Sequence, residues 1–344
     1  MRLLQAMAGA EFGGAEAFFE RLACAFQRAG VEQRVIIRAD AGRAKRLRAG
    51  GVEPVELKFG GAMDWQTPRR MKREIADFRP DIVLSWMNRA TSMCPKRDKA
   101  DAYVHVARLG GYYDLKYYQG CDHLVGNTED IVSYLVKEGW PGERAHYLPN
   151  FVSSADGDPI RRNAYYTPDT VPLILAMGRL HENKAFDVLL GALARVPNAY
   201  LWIAGEGPLR GELEKMAEEL PIKPRVRFLG WRDDISSLLA TCDLFVCPSR
   251  HEPLGNVVIE AWAHGRPVVA ADSYGPGTLI EHLESGVLVP TDDVATLAKA
   301  IRTVIGDPDL AEHIARRGYE TYQARFTEDA VVAQYLEFFE RVSA

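Results

Sequence analysis

The feature that most constrains this chain is a regular alternation of short apolar runs with longer amphipathic stretches. In the first half, RLLQAM (2–7), QRVIIRA (33–39), PVELKF (54–59), DIVLSWM (81–87), DAYVHVAR (101–108) and DHLVGNT (122–128) have strand length and strand composition. Between them lie stretches of helical period. One covers 14–30, where Ala15, Phe18, Phe19, Leu22 and Phe26 share a face. Strand–helix alternation predicts parallel sheets joined by right-handed crossovers.

The alternation pauses over 151–171, a polar, proline-interrupted segment without periodicity, and this predicts a connection between domains. It then restarts with PLILAMG (172–178), AYLWIAG (199–205), RVRFLG (225–230), DLFVCPS (243–249), RPVVAAD (266–272) and GVLVP (286–290), and three helical stretches close the chain. A length of 344 residues exceeds one ordinary core. The prediction is an α/β chain of two doubly wound, Rossmann-like domains, 1–165 and 166–326, with the helix of about 327–344 returning to the first. Open parallel sheets bind ligands beyond the carboxyl ends of their strands, so a cleft faced by both domains is the expected site.

Composition excludes several classes. With 47% hydrophobic and 26% charged residues, long disorder is not expected. No apolar run approaches the roughly 20 residues of a membrane span, and the start reads as a strand and a glycine turn rather than a signal peptide. Five cysteines without a Cys-x-x-Cys pair suit reduced thiols in the cytoplasm. Residues 1–150 carry 23 Lys and Arg against 19 Asp and Glu, the remainder 19 against 28, which hints at different partners for the two halves. No nucleic-acid partner is expected.

Four stretches at strand ends carry candidate chemistry. In AEFGGAEAF (10–18), Gly13 and Gly14 turn the chain into a helix whose free amides favour an anion, although a tight turn needs the same glycines. In MGRLHENKAF (177–186), Gly178 is followed by Arg179 and Lys184, a planar fork and a mobile point charge that together suit a pyrophosphate. Gly205 ends the next strand, and Gly230 with Trp231 the one after, where the indole offers a face to a base or simply packs. HEPLGNVVIE (251–260) places Glu252 in a loop, Leu254, Gly255 and Asn256 at a helix start, and Glu260 on that helix. A carboxylate accepts two hydroxyl hydrogen bonds at once, so both acids suit sugar or ribose hydroxyls.

Together these motifs resemble the retaining glycosyltransferases of family 4, which have the GT-B fold. The family's Glu, seven residues, Glu pattern matches Glu252 and Glu260, its G-R-L-x-x-x-K matches Gly178, Arg179 and Lys184, and its A-G-E-G-P, F-L-G and R-P-V-V-A blocks match 204–208, 228–230 and 266–270. GGAE (13–16) fits the family's first loop and LPNFV (148–152) its domain junction, so the resemblance covers nearly the whole chain. It implies transfer of a hexosyl unit from a nucleotide diphosphate sugar, UDP-sugar first and GDP-sugar second, to a glycan or lipid-linked acceptor. That co-substrate is the only cofactor implied, and no metal is.

The resemblance makes Arg179 and Lys184 the pyrophosphate ligands, Glu260 the ribose ligand and Glu252 the group on the transferred sugar. Backbone at Leu254, Gly255, Asn256, Gly13 and Gly14 would approach the phosphates, with Gly178, Gly205, Gly230 and Trp231 completing the donor site. Family members also carry a histidine after a first-domain strand. Here His105 falls inside the strand pattern of YVHVARLGGYYD (103–114), leaving His105, or Arg108 with the Gly110-Gly111 backbone, for that place.

The acceptor side is less defined. PRRMKREIADF (68–78) sets Met71, Ile75 and Phe78 on one face among Arg69, Arg70, Lys72 and Arg73, a pattern for an anionic membrane or for packing on its own sheet. Tyr112-Tyr113 and Tyr117-Tyr118 are candidates for stacking on sugar rings or for the core. By analogy with the family, the setting is bacterial envelope polysaccharide or lipopolysaccharide synthesis, cytoplasmic or peripheral at the inner membrane. A nucleotide-sugar epimerase of similar architecture and a silent sugar-nucleotide binding protein are the alternatives. The first lacks this constellation, and intact Arg179, Lys184, Glu252 and Glu260 argue against the second.

Overall fold

The computed structural model describes residues 1–10, 13–61, 64–95, 102–152 and 157–343. Glu11 and Phe12 of the first glycine loop and 153–156 of the predicted connection lie outside the described residues. The chain forms two compact units, Met1–Asn150 with Glu328–Ala344, and Phe151–Thr327.

The first unit is a seven-stranded parallel sheet of β1 (Arg2–Met7), β2 (Glu32–Arg38), β3 (Pro54–Leu57), β4 (Ile82–Trp86), β5 (Val104–Leu109), β6 (His123–Gly126) and β7 (Ala145–Tyr147), in the order 3-2-1-4-5-6-7. Its crossovers carry α1 (Gly14–Arg28), α2 (Ala41–Ala49), α3 (Gln66–Phe78), α4 (Met87–Met93) and α5 (Glu129–Lys137). The second unit orders β8 (Leu173–Met177), β9 (Tyr200–Ala204), β10 (Val226–Gly230), β11 (Leu244–Cys247), β12 (Val268–Ala271) and β13 (Val287–Val289) as 10-9-8-11-12-13, again parallel. Its helices are α6 (Phe186–Leu193), α7 (Arg210–Glu219), α8 (Ile235–Thr241), α9 (Asn256–Ala263), α10 (Tyr274–Leu279), α11 (Val294–Gly306) and α12 (Pro308–Arg325).

Helices on both faces explain why the strands read as continuous apolar runs. In β8, Ile174 and Ala176 enter the core on one side while Leu173, Leu175 and Met177 enter the core on the other. Each sheet reverses its order once, between β1 and β4 and between β8 and β11. The short edge strand β7 was not expected, because Ala-His-Tyr gives no apolar run.

Residues 157–165, read from the sequence as the end of the first domain, are tied to the second unit. Ile160 N donates to Thr241 Oγ1 at 2.7 Å, and Arg162 Nη2 to Thr241 O at 2.7 Å and Asp243 Oδ1 at 2.8 Å. The final helix α13 (Glu328–Ser343) packs on the first unit. Tyr335 stands 5.9 Å from the Phe26 ring, Phe338 stands 4.6 Å from His146, and Arg28 pairs with Glu328 at 2.6 Å. On α3, Met71, Ile75 and Phe78 are buried and Glu74 pairs with Arg34 and Arg70, so the amphipathic face rests on its own sheet. No described helix is long and apolar enough to cross a membrane.

Candidate active site

Three neighbouring strands of the second unit end on glycines at positive φ: Gly178 at +146°, Gly205 at +148° and Gly230 at +74°. Gly178 N donates to Ala204 O at 3.0 Å and Gly205 N to Gly230 O at 2.8 Å, so backbone joins the strand ends. A Cβ on Gly205 would lie 1.9 Å from the Gly178 carbonyl oxygen, closer than any side chain allows. Chain this tightly drawn leaves room above it. A cavity of about 510 Å³ is lined by Gly178, Arg179, Gly205, Trp231, Arg232 and Glu260, among others, with Ile235 and Val257 as apolar wall.

The cavity sits at the β8/β11 reversal, since Glu260 and Val257 belong to α9, which follows β11. Trp231 is 82% exposed there, a large apolar face held in solvent. Arg179 is exposed and has no side-chain hydrogen bond or ion pair among the described residues. Arg232, by contrast, is held by Asp234 at 2.7 Å and the Tyr165 hydroxyl at 2.8 Å. Sequence reasoning missed Arg232 and Glu206 in this wall, although both adjoin glycines or residues it had singled out.

Beside the cavity, Lys184 forms an ion pair with Glu252, and its stem passes 3.3 Å from where a Gly178 Cβ would stand. Lys184 ends a single 3-10 turn, Glu182–Lys184, and Ala185 takes the left-handed conformation (φ 51°) to enter α6. Glu252 is 7% exposed. Burial first, and then the charge of Glu252, push the neighbouring Cys247 thiol up to about 11. Arg250 fixes this loop from the other side through Asp187, at 2.6 and 3.0 Å, and Asp292, at 2.5 Å.

Glu252 O accepts from Gly275 N at 2.7 Å, and a Cβ on Gly275 would meet that oxygen at 2.6 Å. Gly255 (φ +66°) then opens α9 without a side-chain cap, so the first amides of the helix are left for an acceptor. Glu260 is half-buried one turn along. The structure thus places Arg179, Trp231, Glu260, Gly178 and Gly205 on one cavity, with Gly230 at its margin. Glu252 and Lys184 form a pair at its side, and Leu254, Gly255 and Asn256 a helix start.

The first-unit candidates are placed differently. His105 is the second residue of β5, near its amino end, 4% exposed, with its ring 2.9 Å from Ser85 Oγ. It is a satisfied core histidine instead of a group at the carboxyl end of the strand. Arg108, 1% exposed, points inward too: Nε donates to Tyr335 Oη at 2.7 Å and Nη2 to Asn150 Oδ1 at 2.6 Å, between the rings of Phe18 and Trp86. What remains at the end of β5 is glycine backbone, where a Cβ on Gly110 would stand 3.5 Å from Ala15 of α1. Gly13 caps α1 with no side-chain hydrogen bond, and Gly14 begins it with open space around it. Tyr118 is fully buried and unavailable to a sugar ring, whereas Tyr112 and Tyr117 are exposed.

Among the described residues, no group of three or more His, Cys, Asp or Glu is arranged to hold a metal ion. The Asp-Pro-Asp run at 307–309 serves α12, where Asp307 caps the helix by accepting from Leu310 N at 3.0 Å.

Comparison with known proteins agrees with this fold. The family model "Glycosyltransferase Family 4" matches residues 12–156, and "Glycosyl transferases group 1" matches 159–321. Two relatives from Rhizobium meliloti (strain 1021) align nearly end to end. The lipopolysaccharide core biosynthesis glycosyltransferase LpsD is 35% identical over 99% of this chain and 98% of its own. LpsE, of the same description, is 36% identical over 94% and 95%. Among solved structures, Anabaena HepE in complex with UDP superposes with a TM-score of 0.84 at 21% identity, covering 99% of this chain and 100% of that one. The chain belongs to the family 4, group 1 glycosyltransferases and is built on the GT-B fold.

Proposed function

We propose that this glycosyltransferase moves a hexosyl unit from a nucleotide diphosphate sugar to a glycan or lipid-linked acceptor in lipopolysaccharide core synthesis, with retention and without a metal ion. The observation that carries the reading is the cavity beyond β8–β10, where a guanidinium unpaired among the described residues, a carboxylate and an exposed indole share one wall. A nucleotide diphosphate asks for these three groups. Arg179 offers a bidentate fork to the pyrophosphate, Glu260 accepts two hydrogen bonds from a ribose diol, and Trp231 offers its face to the base.

Lys184 adds a second cation beside Gly178, and Glu252 has a carboxylate that can accept from hydroxyls of the transferred sugar. The barrier is the separation of an oxocarbenium-like sugar from a leaving diphosphate. Preorganised cations and the free amides at Leu254, Gly255 and Asn256 oppose the charge that develops there, each such group being worth about 3 kcal/mol in comparable sites. The leaving phosphate takes the acceptor proton, and Glu252 positions the sugar. The LpsD and LpsE relatives support a lipopolysaccharide core acceptor, and the UDP-bound HepE structure favours a uridine donor. A cytoplasmic setting, with contact at the inner membrane through surface charge, belongs to the same proposal.

The test is incubation with a panel of UDP-, GDP- and ADP-sugars. Release of free nucleotide from one of them, unchanged by EDTA and with the product anomer of the donor's configuration, is the expected result. Interconversion of the sugar without nucleotide release would point to an epimerase and sink the proposal.

A further inference from the structure

The first unit has a cavity at its own sheet reversal, and its wall is cationic. It is about 240 Å³ and is lined by Ala8, Gly9 and Ala10 after β1, Glu16 of α1, Arg38 at the end of β2, Trp86 closing β4 and Met87 to Arg89 after it. A second cavity of about 440 Å³ shares Gly9 and Arg38 and reaches Asp40, Gly42 and Arg43. Together they occupy the β1/β4 reversal, the place where a doubly wound sheet takes a ligand.

Three arginines and two acids face this space, and they differ in how they are occupied. Arg38 and Arg89 are exposed and have no side-chain hydrogen bond or ion pair among the described residues. Arg43 is fully buried; Nε meets Glu20 at 3.1 Å and Nη2 donates to Ala10 O, but among the described residues Nη1 has no hydrogen-bond partner and its ion-pair contact is Asp40 at 3.8 Å. Both acids are turned to backbone. Asp40 caps α2 by accepting from Arg43 N at 2.9 Å, and Glu16 accepts from Ala10 N at 2.9 Å.

The backbone is shaped for the site as well. Glu16 fills the space where side chains on Gly9 and Gly13 would go, since a Cβ on Gly9 would lie 2.3 Å from its Oε1. Met87, in the cavity wall, is held at φ +57°, a conformation that a non-glycine residue adopts only at a cost of about 1–3 kcal/mol and that clusters at ligand sites. Unpaired guanidinium groups around a cavity, with the nearby carboxylates spent on backbone, select an anion.

We propose that this cavity is an acceptor subsite for a saccharide bearing an anionic group, a phosphate or a carboxylate, gripped by Arg38 and Arg89. The proposal rests on the glycosyltransferase reading above, because it assigns the charge class of the second substrate. It adds what the donor site does not contain: a reason for the acceptor to be charged.

The test uses the full chain and ligand-observed NMR titrations with a hexose 6-phosphate, a hexuronate and the corresponding neutral hexose, with UDP titrated in parallel. The charged sugars should bind at least about tenfold more tightly than the neutral one, as charge-assisted bidentate bonds predict. Which of the two binds better identifies the anion. Arg38→Gln and Arg89→Gln should each reduce that preference, and the double variant should abolish it. Lys137→Gln, an exposed cation on α5, should leave it intact, and all variants should bind UDP as the parent does. The proposal is overturned if charged and neutral sugars bind alike, if neither charged sugar binds, if the double variant keeps the preference, or if Lys137→Gln loses as much. Loss of UDP binding by the parent would instead break the donor reading, so the two failures are distinguishable.

Discussion

The two sheets place a cavity at the same topological position, yet they furnish it in opposite ways. At the β8/β11 reversal, three glycine strand ends are bonded to one another, and the charged side chains nearby face outward or pair across the mouth. Around the β1/β4 reversal, the polar groups of β5 and α1 are spent inside: Arg108 on Tyr335 and Asn150, His105 on Ser85, Glu16 on Ala10. Rigid backbone with outward side chains suits one recurring ligand. A wall held by buried polar groups, carrying two arginines without a side-chain partner among the described residues, suits a ligand recognised chiefly by charge. The sharpest way to break this contrast is to place one methyl group at each edge.

Gly205→Ala drives a Cβ into the Gly178 carbonyl at a φ that alanine tolerates poorly. It should cost more than about 3 kcal/mol in urea unfolding, or leave the second unit unfolded. Gly14→Ala meets nothing within 4 Å, and the stability should stay within about 0.5 kcal/mol of the parent. Similar losses in both would show that the glycine frame is not what separates the edges.

The next effects lie in catalysis and in the interior. Lys184→Met leaves Glu252, 9% exposed in its side chain, without its cation and removes charge from the proposed phosphate site. Turnover should fall about 10²- to 10³-fold in a nucleotide-release assay. Arg108→Ala strands the Tyr335 hydroxyl and the Asn150 carbonyl in a buried setting and should cost about 3 kcal/mol of stability. Donor affinity by calorimetry should be unaffected. If Arg108→Ala lowers turnover while stability holds, Arg108 belongs to the active site after all. Glu260→Ala removes one ionised acceptor and should weaken UDP binding about tenfold; unchanged affinity would remove Glu260 from the site.

This contrast also explains what was legible in the sequence. The twelve expected strands are present because each is a mostly apolar run that a helix-flanked sheet buries, fully in β4, β8, β11 and β12 and in part in the edge strands β3 and β10. The grouping of residues at the second-unit cavity was legible because they lie within a few residues of a strand end or on the helix that follows it, so Gly178-Arg179, Gly230-Trp231 and the HEPLG loop announce themselves locally. The first unit hid its logic because its partners are distant: Arg108 and Tyr335 are 227 residues apart. Nothing near Arg108 in the chain says that it will be buried, and nothing near Arg38 says that Arg89 will share its cavity. Tyr118 shows the same limit, since a tyrosine pair reads alike whether it faces sugar or core.

The smallest expected effect comes from the contact that holds the C-terminal helix to the first sheet. His123 Nδ1 and His146 Nε2 stand 3.0 Å apart under the Phe338 ring. Burial first, and then the neighbouring His123 and Arg341 charges, lower His146 from 6.5 to about 4, and burial lowers His123 as well. Below about 6.5 the unfolded chain binds protons that the folded pair refuses, so stability declines as the pH falls toward 4. Above that window both states are neutral and the contribution is constant. Urea midpoints measured between pH 8 and pH 4.5 should therefore fall less steeply for His146→Gln than for the parent. Parallel slopes would mean that protonation is absorbed without loosening α13, the helix being held by its other contacts, Tyr335 on Phe26 and Arg108 and Glu328 on Arg28. The second unit, which has no such histidine pair among its described residues, should show no matching change in the pH dependence of UDP binding when His146 is replaced.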